Sequence, residues 1–216
     1  EFTTTGGGTA TLTLSGLNVV NQKYYTSSRT TTTPAEGYSV RMSLKQNVSG
    51  LQSEVLKMTT TNGSSDSFSA SIRISQTTLV IYDNVAGASV GSATVNSSTG
   101  IEFLVSMRDD KIYVWYQRFK GASNNVINEY KTWTLLESTA LQDDNHTSVT
   151  ANSLSWGILQ VTTQDTDFYE FAFSLSSYTG LSLTNSTEIL GRSYPFTGAY
   201  TYINGGLRIT TKDGPA

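Results

Sequence analysis

The stretch IEFLVSMRDDKIYVWYQRF, residues 101–119, decides the fold class, because apolar residues occupy every second position on both sides of Asp109 and Asp110. A period of two residues is typical of a β-strand with one buried face. If the two aspartates form a two-residue turn, the halves pair as an antiparallel hairpin. One face then carries three apolar cross-strand pairs: Met107 with Ile112, Val105 with Val114, and Phe103 with Tyr116.

The opposite face of the predicted hairpin carries Tyr113 and Trp115, where other alternating segments show Ser, Thr or Arg. Aromatic faces stack on the apolar side of a sugar ring, while nearby amide, carboxylate and guanidinium groups bind its hydroxyls. We therefore predict a ligand-binding set on one outer face: Tyr113, Trp115, Gln117, Glu102, Arg41 and Arg73. The alternative is that a loop or a neighbouring subunit covers the two aromatic residues.

The same alternation recurs along the chain, with Gly, Asn, Asp and Ser between the segments as turn residues. It predicts strands at residues 12–14, 38–44, 55–58, 68–74, 79–82, 158–161 and 169–175, within a total of about a dozen. Only the run from Leu135 to Gln142 suggests one or two helical turns. The pattern predicts an all-β fold with two antiparallel sheets packed face to face.

The amino-acid composition and the net charge exclude several classes of protein. Of the 216 residues, 33 are Thr and 29 are Ser, about twice the number of charged residues, and none is Cys. A small disulfide or zinc-thiolate scaffold is thereby excluded. The net charge is −3 and no block of basic residues or long apolar run occurs, so we expect no nucleic-acid partner and no membrane span.

The chain divides into three predicted parts. Residues 1–9 are rich in Thr and Gly and are interpreted as a linker or an artificial start of the chain. Residues 10–189 form the predicted sandwich. Residues 190–216 are expected to form an exit strand or a connection to a following domain.

The hairpin at residues 102–119, with its Arg-Asp-Asp-Lys turn and aromatic second strand, resembles the central hairpin of concanavalin A-like (laminin G-like) jelly-roll sandwiches. The order of short Ser/Thr-rich strands over residues 10–185 is similar to that fold as well. The segment from Gly191 to Ala216 resembles connecting segments of bacteriophage tail and fibre proteins. The resemblance implies a lectin-like module of a virion tail or surface protein, located on a virion or cell surface.

Such a module binds a cell-surface glycan in host attachment or adhesion, or contacts neighbouring subunits. The superfamily also includes purely structural modules and glycoside hydrolases, so the fold does not choose among these functions. A non-enzymatic glycan-binding module is the preferred hypothesis, and a structural assembly module is the alternative. No cofactor is expected.

A hydrolase signature of the family, Glu-x-Asp-x-(x)-Glu, is approached by Asp165, Asp167 and Glu170. Retaining hydrolysis needs a nucleophilic carboxylate and a carboxylic acid of raised pKa, about 5 Å apart across the bond to be cleaved. The first position holds Asp instead of Glu, and simple alternation places Glu170 on the other face unless a bulge intervenes. An acidic turn leading into a strand is the simpler interpretation.

His146 is the only histidine, so a metal site built from several imidazoles cannot form within this chain. It also lacks a Gly-x-Ser-x-Gly partner for a serine triad, and a solvated loop is the preferred interpretation. The neighbouring oxygens of Asp143, Asp144 and Asn145 are a candidate Ca²⁺ site, although the spacing of an EF-hand is absent.

Overall fold

A computed structural model describes residues 2–13, 16–30, 38–62, 67–108, 111–118, 134–140, 149–160, 163–174, 200–203 and 206–209. These residues form sixteen strands and one short 3₁₀ turn, Ser97–Thr99. The strands are β1 Thr3–Thr5, β2 Thr9–Leu12, β3 Leu17–Val20, β4 Lys23–Thr30, β5 Tyr38–Gln46, β6 Ser53–Asn62, β7 Ser67–Ile74, β8 Thr78–Asp83, β9 Ala88–Thr94, β10 Ile101–Arg108, β11 Lys111–Arg118, β12 Thr134–Ala140, β13 Val149–Ile158, β14 Asp165–Ser174, β15 Tyr200–Ile203 and β16 Gly206–Ile209.

Fourteen of these strands form two seven-stranded antiparallel sheets. Sheet A has the order β1-β4-β13-β6-β7-β8-β9, and sheet B has the order β12-β11-β10-β5-β14-β3-β2. The remaining two strands, β15 and β16, form a separate hairpin. The predicted two-sheet antiparallel architecture is confirmed. Within the described residues, the structure contains no helix with the length and apolarity of a membrane span.

The hairpin predicted at residues 101–119 is present as β10 and β11, with the predicted register. Met107 pairs with Ile112, Val105 with Val114, and Phe103 with Tyr116. Arg108 pairs with Lys111, as expected for two intervening residues. Five of the six apolar residues are buried, and Tyr116 packs against the core at partial burial.

An aromatic cluster joins the two sheets. Trp156 of sheet A is completely buried and stacks between Tyr25 and Phe171, with ring centroids 4.7 Å away on each side. Phe168 and Phe2 meet the same indole edge-on, at 5.7 and 6.4 Å. Each such pair contributes about 0.5–1.5 kcal/mol beyond the burial of its surface. The cluster therefore fixes β4 and β13 against β14.

The hydroxyl-rich outer positions form ordered cross-strand pairs on sheet A. Thr26 and Ser155, which are directly opposite on β4 and β13, have their hydroxyl oxygens 2.8 Å apart. Thr59 and Ser69, opposite on β6 and β7, are 3.0 Å apart. These outward Ser and Thr residues thus belong to a regular sheet surface, where their hydroxyl groups pair with one another.

Several sequence predictions about elements and segments are wrong in detail. Residues 1–9 are not a linker as a whole, because Phe2 is buried in the core and Thr3–Thr5 pairs with β4. The predicted helical run from Leu135 is largely strand β12, which extends sheet B beside β11. A strand was predicted at residues 158–161, but β13 already ends at Ile158, the first of these residues. The boundary predicted at residues 189–190 stays a prediction.

Candidate functional site

The outer face of sheet B is built from the middle strands β10, β5 and β14. Ser43 of β5 lies between two carboxylates in register, Glu102 on β10 and Glu170 on β14. Arg41, two residues away on the same face of β5, pairs in register with Leu104 and Ala172. Alternation along three adjacent strands therefore brings one guanidinium and two carboxylates together at the centre of this face.

Arg41 holds both carboxylates through separate nitrogens. Its Nε donates to Glu102 Oε1, and its Nη2 lies 2.9 Å from Glu170 Oε2. The side chains of Arg41 and Glu102 are 10% and 5% exposed, so this ion pair is shielded from water. A buried charge costs several kcal/mol unless it is paired, which makes the three residues interdependent.

A β-bulge in β14 controls which acidic residues share this face. The register between β14 and β5 shifts between Phe168 and Glu170, so Phe168 pairs with Leu44 and Glu170 with Ser43. The extra residue, Tyr169, turns Glu170 to the side of Asp165 and Asp167. Simple alternation predicted Glu170 on the opposite face, and that prediction is wrong. The sequence allowed for a bulge that would reverse the face of Glu170, and this bulge is present.

Asp165 and Asp167 join two asparagines in a carboxylate–amide cluster, defined by Asn18, Asn47, Asp165 and Asp167. Asn18 Nδ2 donates to Asp165 Oδ1 at 2.7 Å and to Asp167 Oδ1 at 2.8 Å. Asn47 Nδ2 donates to Asp165 Oδ1 at 3.0 Å and to Asp167 Oδ2 at 3.1 Å. All four residues are partly exposed. The cluster is therefore preformed and open to solvent.

Tyr169, the bulged residue, borders the cluster and is buried. Burial, and secondarily the negative charge of Asp167, raises the pKa of Tyr169 from 10.0 to about 12. The phenol therefore stays neutral throughout the physiological range. It can take part in hydrogen bonding beside the cluster, but its raised pKa makes it a poor general base at neutral pH.

The predicted aromatic platform is only partly present. Tyr113 and Trp115 stack with ring centroids 5.9 Å apart and planes 13° from parallel. Trp115 is 3% exposed, so the expectation that it offers its face to a sugar is wrong. Tyr113 is half-buried, and Gln117 pairs in register with Glu102.

Arg73 does not belong to this face. It lies on β7 of sheet A, in register with Glu54 and Val80. Its guanidinium is 3.3 Å from the centroid of the Tyr82 ring and 3.9 Å from Glu54 Oε2. The prediction that Arg73 joins Arg41 is wrong because alternation assigns a residue to a face of its own strand but does not say which sheet holds that strand.

The remaining predicted site residues receive no structural test. His146 and the candidate calcium ligands Asp143, Asp144 and Asn145 lie outside the described residues. Elsewhere in the described ranges, no group of three or more His, Cys, Asp or Glu side chains is placed to hold a metal ion.

Sequence reasoning missed the two asparagines of the cluster. Asn47 directly follows β5, so its outward position continues the alternation of Ser43 and Lys45. Asn18 lies opposite Asp167 only because β3 pairs with β14, across about 150 residues of sequence. The first could have been found from the strand pattern, whereas the second needs the sheet order.

Comparisons with known proteins identify the fold. No protein-family model and no curated protein matches this chain. Among solved structures, it is similar to the cellulose-induced protein Cip1, with a TM-score of 0.53, 12% identity, and coverage of 84% of this chain and 94% of that one.

Two further solved structures are similar with lower scores. Lectin I-B4 from Griffonia simplicifolia has a TM-score of 0.48 and 11% identity, covering 80% of this chain and 92% of the lectin. An alginate lyase of polysaccharide lyase family 7, AlgAT5, has a TM-score of 0.49 and 12% identity, covering 74% and 78%. At sequence identities this low, structural similarity is evidence about the fold alone. Together with the observed sheets, the match to Cip1 supports the predicted concanavalin A-like jelly-roll sandwich.

Proposed function

We propose that this chain is a non-enzymatic carbohydrate-binding module whose ligand contacts the outer face of sheet B at the carboxylate–amide cluster. The proposal rests on the observation that each of the two carboxylates accepts hydrogen bonds of at most 3.1 Å from both amides, while all four residues remain partly exposed. The Nδ2 protons of both asparagines are already donated to the aspartates, but the carboxylate and amide oxygens have acceptor capacity left, so neighbouring sugar hydroxyls can donate to them. A preformed arrangement of this kind lowers the ordering cost of binding.

Solvent exposure favours ligand binding at the end of this face that carries the cluster, and not at the end that carries Tyr113 and Trp115. Lys45, which lies in register with Asp167, is half-buried, and the Glu170 side chain is 20% exposed. At the other end, Ser39 and Ser106 are buried together with Trp115. Ser39 and Lys45 are six residues apart on β5, about 20 Å at the rise of a strand. Tyr113, beside Ser106, can therefore meet a long glycan but not the sugar at the cluster.

The biological setting is proposed on the resemblance of residues 191–216 to phage tail segments. We place the module on a virion tail or another surface protein, where a cell-surface glycan is the partner in attachment. A neighbouring subunit of the same assembly is the other partner class. Isolation of the parent protein and immunolocalisation on particles or cells test this setting separately from sugar binding.

A glycan array followed by equilibrium titration tests the binding proposal. Asp167→Asn replaces an acceptor oxygen without changing side-chain size, and loss of a hydrogen bond to a charged group costs about 1.5–3 kcal/mol. We therefore expect at least about tenfold weaker binding. Glu54→Gln is the matched control, because Glu54 is a hydrogen-bonded carboxylate on the outer face of sheet A. Equal affinity of wild type and Asp167→Asn would remove the cluster from the site.

A glycoside hydrolase is the second candidate, favoured by the bulge that brings Asp165, Asp167 and Glu170 to one face. The contacts oppose it, because Glu170 is held by Arg41 and both aspartates accept hydrogen bonds from both asparagines. Release of reducing ends that disappears in Glu170→Gln would support hydrolysis. No release from a panel of polysaccharides would leave the binding proposal in place.

A packing role for the outer aromatic residues draws support from Trp115. Its burial is complete within a single chain, so no partner subunit is required to cover it. Light scattering of the isolated chain tests the assembly alternative: a stable oligomer without glycan binding would favour it, whereas a glycan-binding monomer would oppose it.

A further inference from the structure

One end of the sandwich is closed by hydrogen bonds that link the loops of both sheets. Gln76 Nε2 donates to the carbonyl of Gln46 at 3.0 Å, which ties the loop after β7 to the end of β5. On the other side, the Leu159 amide donates to the Glu54 carbonyl at 2.9 Å. This segment is held in turn by Gln22 Nε2, which donates to the Leu159 carbonyl at 3.0 Å.

The two sides are joined through the turn that follows β3. The Asn21 amide, next to Gln22, donates to the Gln164 carbonyl at 2.8 Å. Gln164 lies two residues before Thr166, and Thr166 pairs with Gln46. These contacts therefore form a ring around the end of the sandwich where β5 finishes and β6 begins.

Three polar side chains on the segments of this ring are buried at this end of the core. Gln46 and Ser53 are completely buried and Gln164 is 1% exposed. Their direction follows from the register: Gln46 shares the inner face with Leu44, and Ser53 lies opposite the core residue Ile74. Thr166 Oγ1 donates to Gln46 Oε1 at 3.0 Å, which fixes one end of that amide.

The other polar atoms of these side chains have no partner among the residues that the structure describes. They are Gln46 Nε2, Ser53 Oγ, and both Nε2 and Oε1 of Gln164. Buried polar atoms in folded proteins are nearly always hydrogen-bonded to protein or to ordered water. Four such atoms, of both donor and acceptor type, lie on three buried side chains at one end of the core, so a small polar partner is needed to satisfy them.

We propose that this closed end holds ordered water, bound by Gln164, Gln46 and Ser53. A buried water makes about three hydrogen bonds and both donates and accepts, which matches amide nitrogens, an amide oxygen and a hydroxyl. The ring of loop contacts separates the site from bulk solvent. Its water therefore exchanges slowly and belongs to the folded structure.

The site lies directly behind the carboxylate–amide cluster. Gln164 and Thr166 alternate along the chain with Asp165 and Asp167, so the same strand segment presents amide and hydroxyl inward and carboxylates outward. Bound water on the inner side thus supports the segment that carries the proposed sugar contacts. The water site does not depend on sugar binding, and each can fail without the other.

Nuclear Overhauser spectra of ¹⁵N-labelled protein test the proposal directly. We expect cross-peaks between a long-lived water and the side-chain amide protons of Gln164 and Gln46. Exposed Gln52 provides the control, for which no such cross-peak is expected. Absence of water cross-peaks at both buried amides would overturn the proposal.

Substitutions test the proposal independently of the spectra, because bound water and unsatisfied atoms predict Tm changes of opposite sign. Ser53→Ala and Gln164→Met remove partners of the bound water, so both are expected to lower the Tm, while Gln52→Met leaves it unchanged. If the buried atoms are instead unsatisfied, their removal relieves a desolvation penalty and the Tm rises. A rise in either variant would contradict the proposal, and Ser53→Ala is small enough to keep the protein folded.

Discussion

At the scale of single residues, Trp156 is the side chain on which the core depends most. It makes face or edge contacts with Tyr25, Phe168, Phe171 and Phe2, which belong to both sheets and to the chain start. Removing a buried Trp side chain costs about 3–5 kcal/mol. Trp156→Ala is therefore expected to lower the free energy of unfolding by that amount in urea titrations.

The matched control for this loss is Leu51→Ala, because Leu51 is 49% exposed. Surface changes of this kind stay within about 0.5 kcal/mol. Similar losses in the two variants would show that the aromatic cluster is not the centre of the core.

Tyr169 gives a prediction about alkaline pH. Its pKa is about 12 in the folded protein and near 10 in the unfolded chain, so between these values the folded state binds the proton more tightly. The stability that it contributes is complete below pH 10 and is lost as pH rises toward 12. The loss attributable to this residue is at most about 3 kcal/mol.

Tyr169→Phe tests this assignment, because phenylalanine fills the same space without an ionisable group. The variant is expected to lose less free energy of unfolding between pH 10 and 12 than the wild type. An identical decline in both proteins, measured by urea denaturation at each pH, would show that Tyr169 is not responsible.

At the scale of elements, Arg41 joins the three middle strands of sheet B. Its contacts with Glu102 and Glu170 connect β5 to β10 and β14. Arg41→Met leaves two carboxylates without their cation, and breaking a buried pair in this way costs about 3–5 kcal/mol. We expect a loss of this size by denaturant titration, with partial recovery in Arg41→Met combined with Glu102→Gln. Lys45→Met, a half-buried cation on the same strand, should cost less than 1 kcal/mol.

The pairing of β13 with β4 depends on a glycine. Gly157 has φ +123°, and a Cβ there would lie 2.5 Å from the Lys23 carbonyl oxygen. Gly157→Ala must therefore strain the backbone and separate the two strands, and we expect a loss of about 2 kcal/mol or more. Gly7→Ala is the control, because no atom lies within 4 Å of the added carbon. Equal melting temperatures for the two variants would contradict this account.

The elements also show which features the sequence could predict. The β10–β11 hairpin was predictable with its register, because its two strands are adjacent in sequence and alternation fixes the faces of both. The bulge at Tyr169 was foreseeable only as an exception, since alternation does not reveal an inserted residue. β12 was mistaken for helical turns because its apolar residues Leu135 and Leu136 are adjacent, which obscures the period of two.

At the scale of the whole molecule, the sandwich could be predicted but the assignment of strands to sheets could not. Arg41 and Arg73 have the same alternating pattern, yet they lie on the outer faces of different sheets. Likewise, the face of Trp115 was predicted correctly, but its burial depends on tertiary packing, which no local pattern reports. The cluster that now carries the proposed site depends on the pairing of β3 with β14, two strands that are far apart in sequence.

The charge of the molecule predicts which class of glycan the proposed site prefers. The chain carries a net charge of −3, and the proposed site presents Asp165 and Asp167 with Lys45 as the neighbouring cation. Uronic acid polymers are repelled by this surface, so we expect tighter binding of neutral polysaccharides at low ionic strength. Added salt should raise the weak affinity for polyuronates, because it screens the repulsion. Tighter binding of polyuronates at low salt would contradict this prediction.

Chemical-shift mapping during titration with the best neutral glycan from an array tests whether a glycan binds the outer face of sheet B. We expect the largest backbone amide shifts at Asn18, Asn47, Asp165 and Asp167. The amides of Glu54 and Arg73 on the outer face of sheet A should remain unchanged. Shifts confined to sheet A, or saturable binding without shifts at the cluster, would contradict binding at this face.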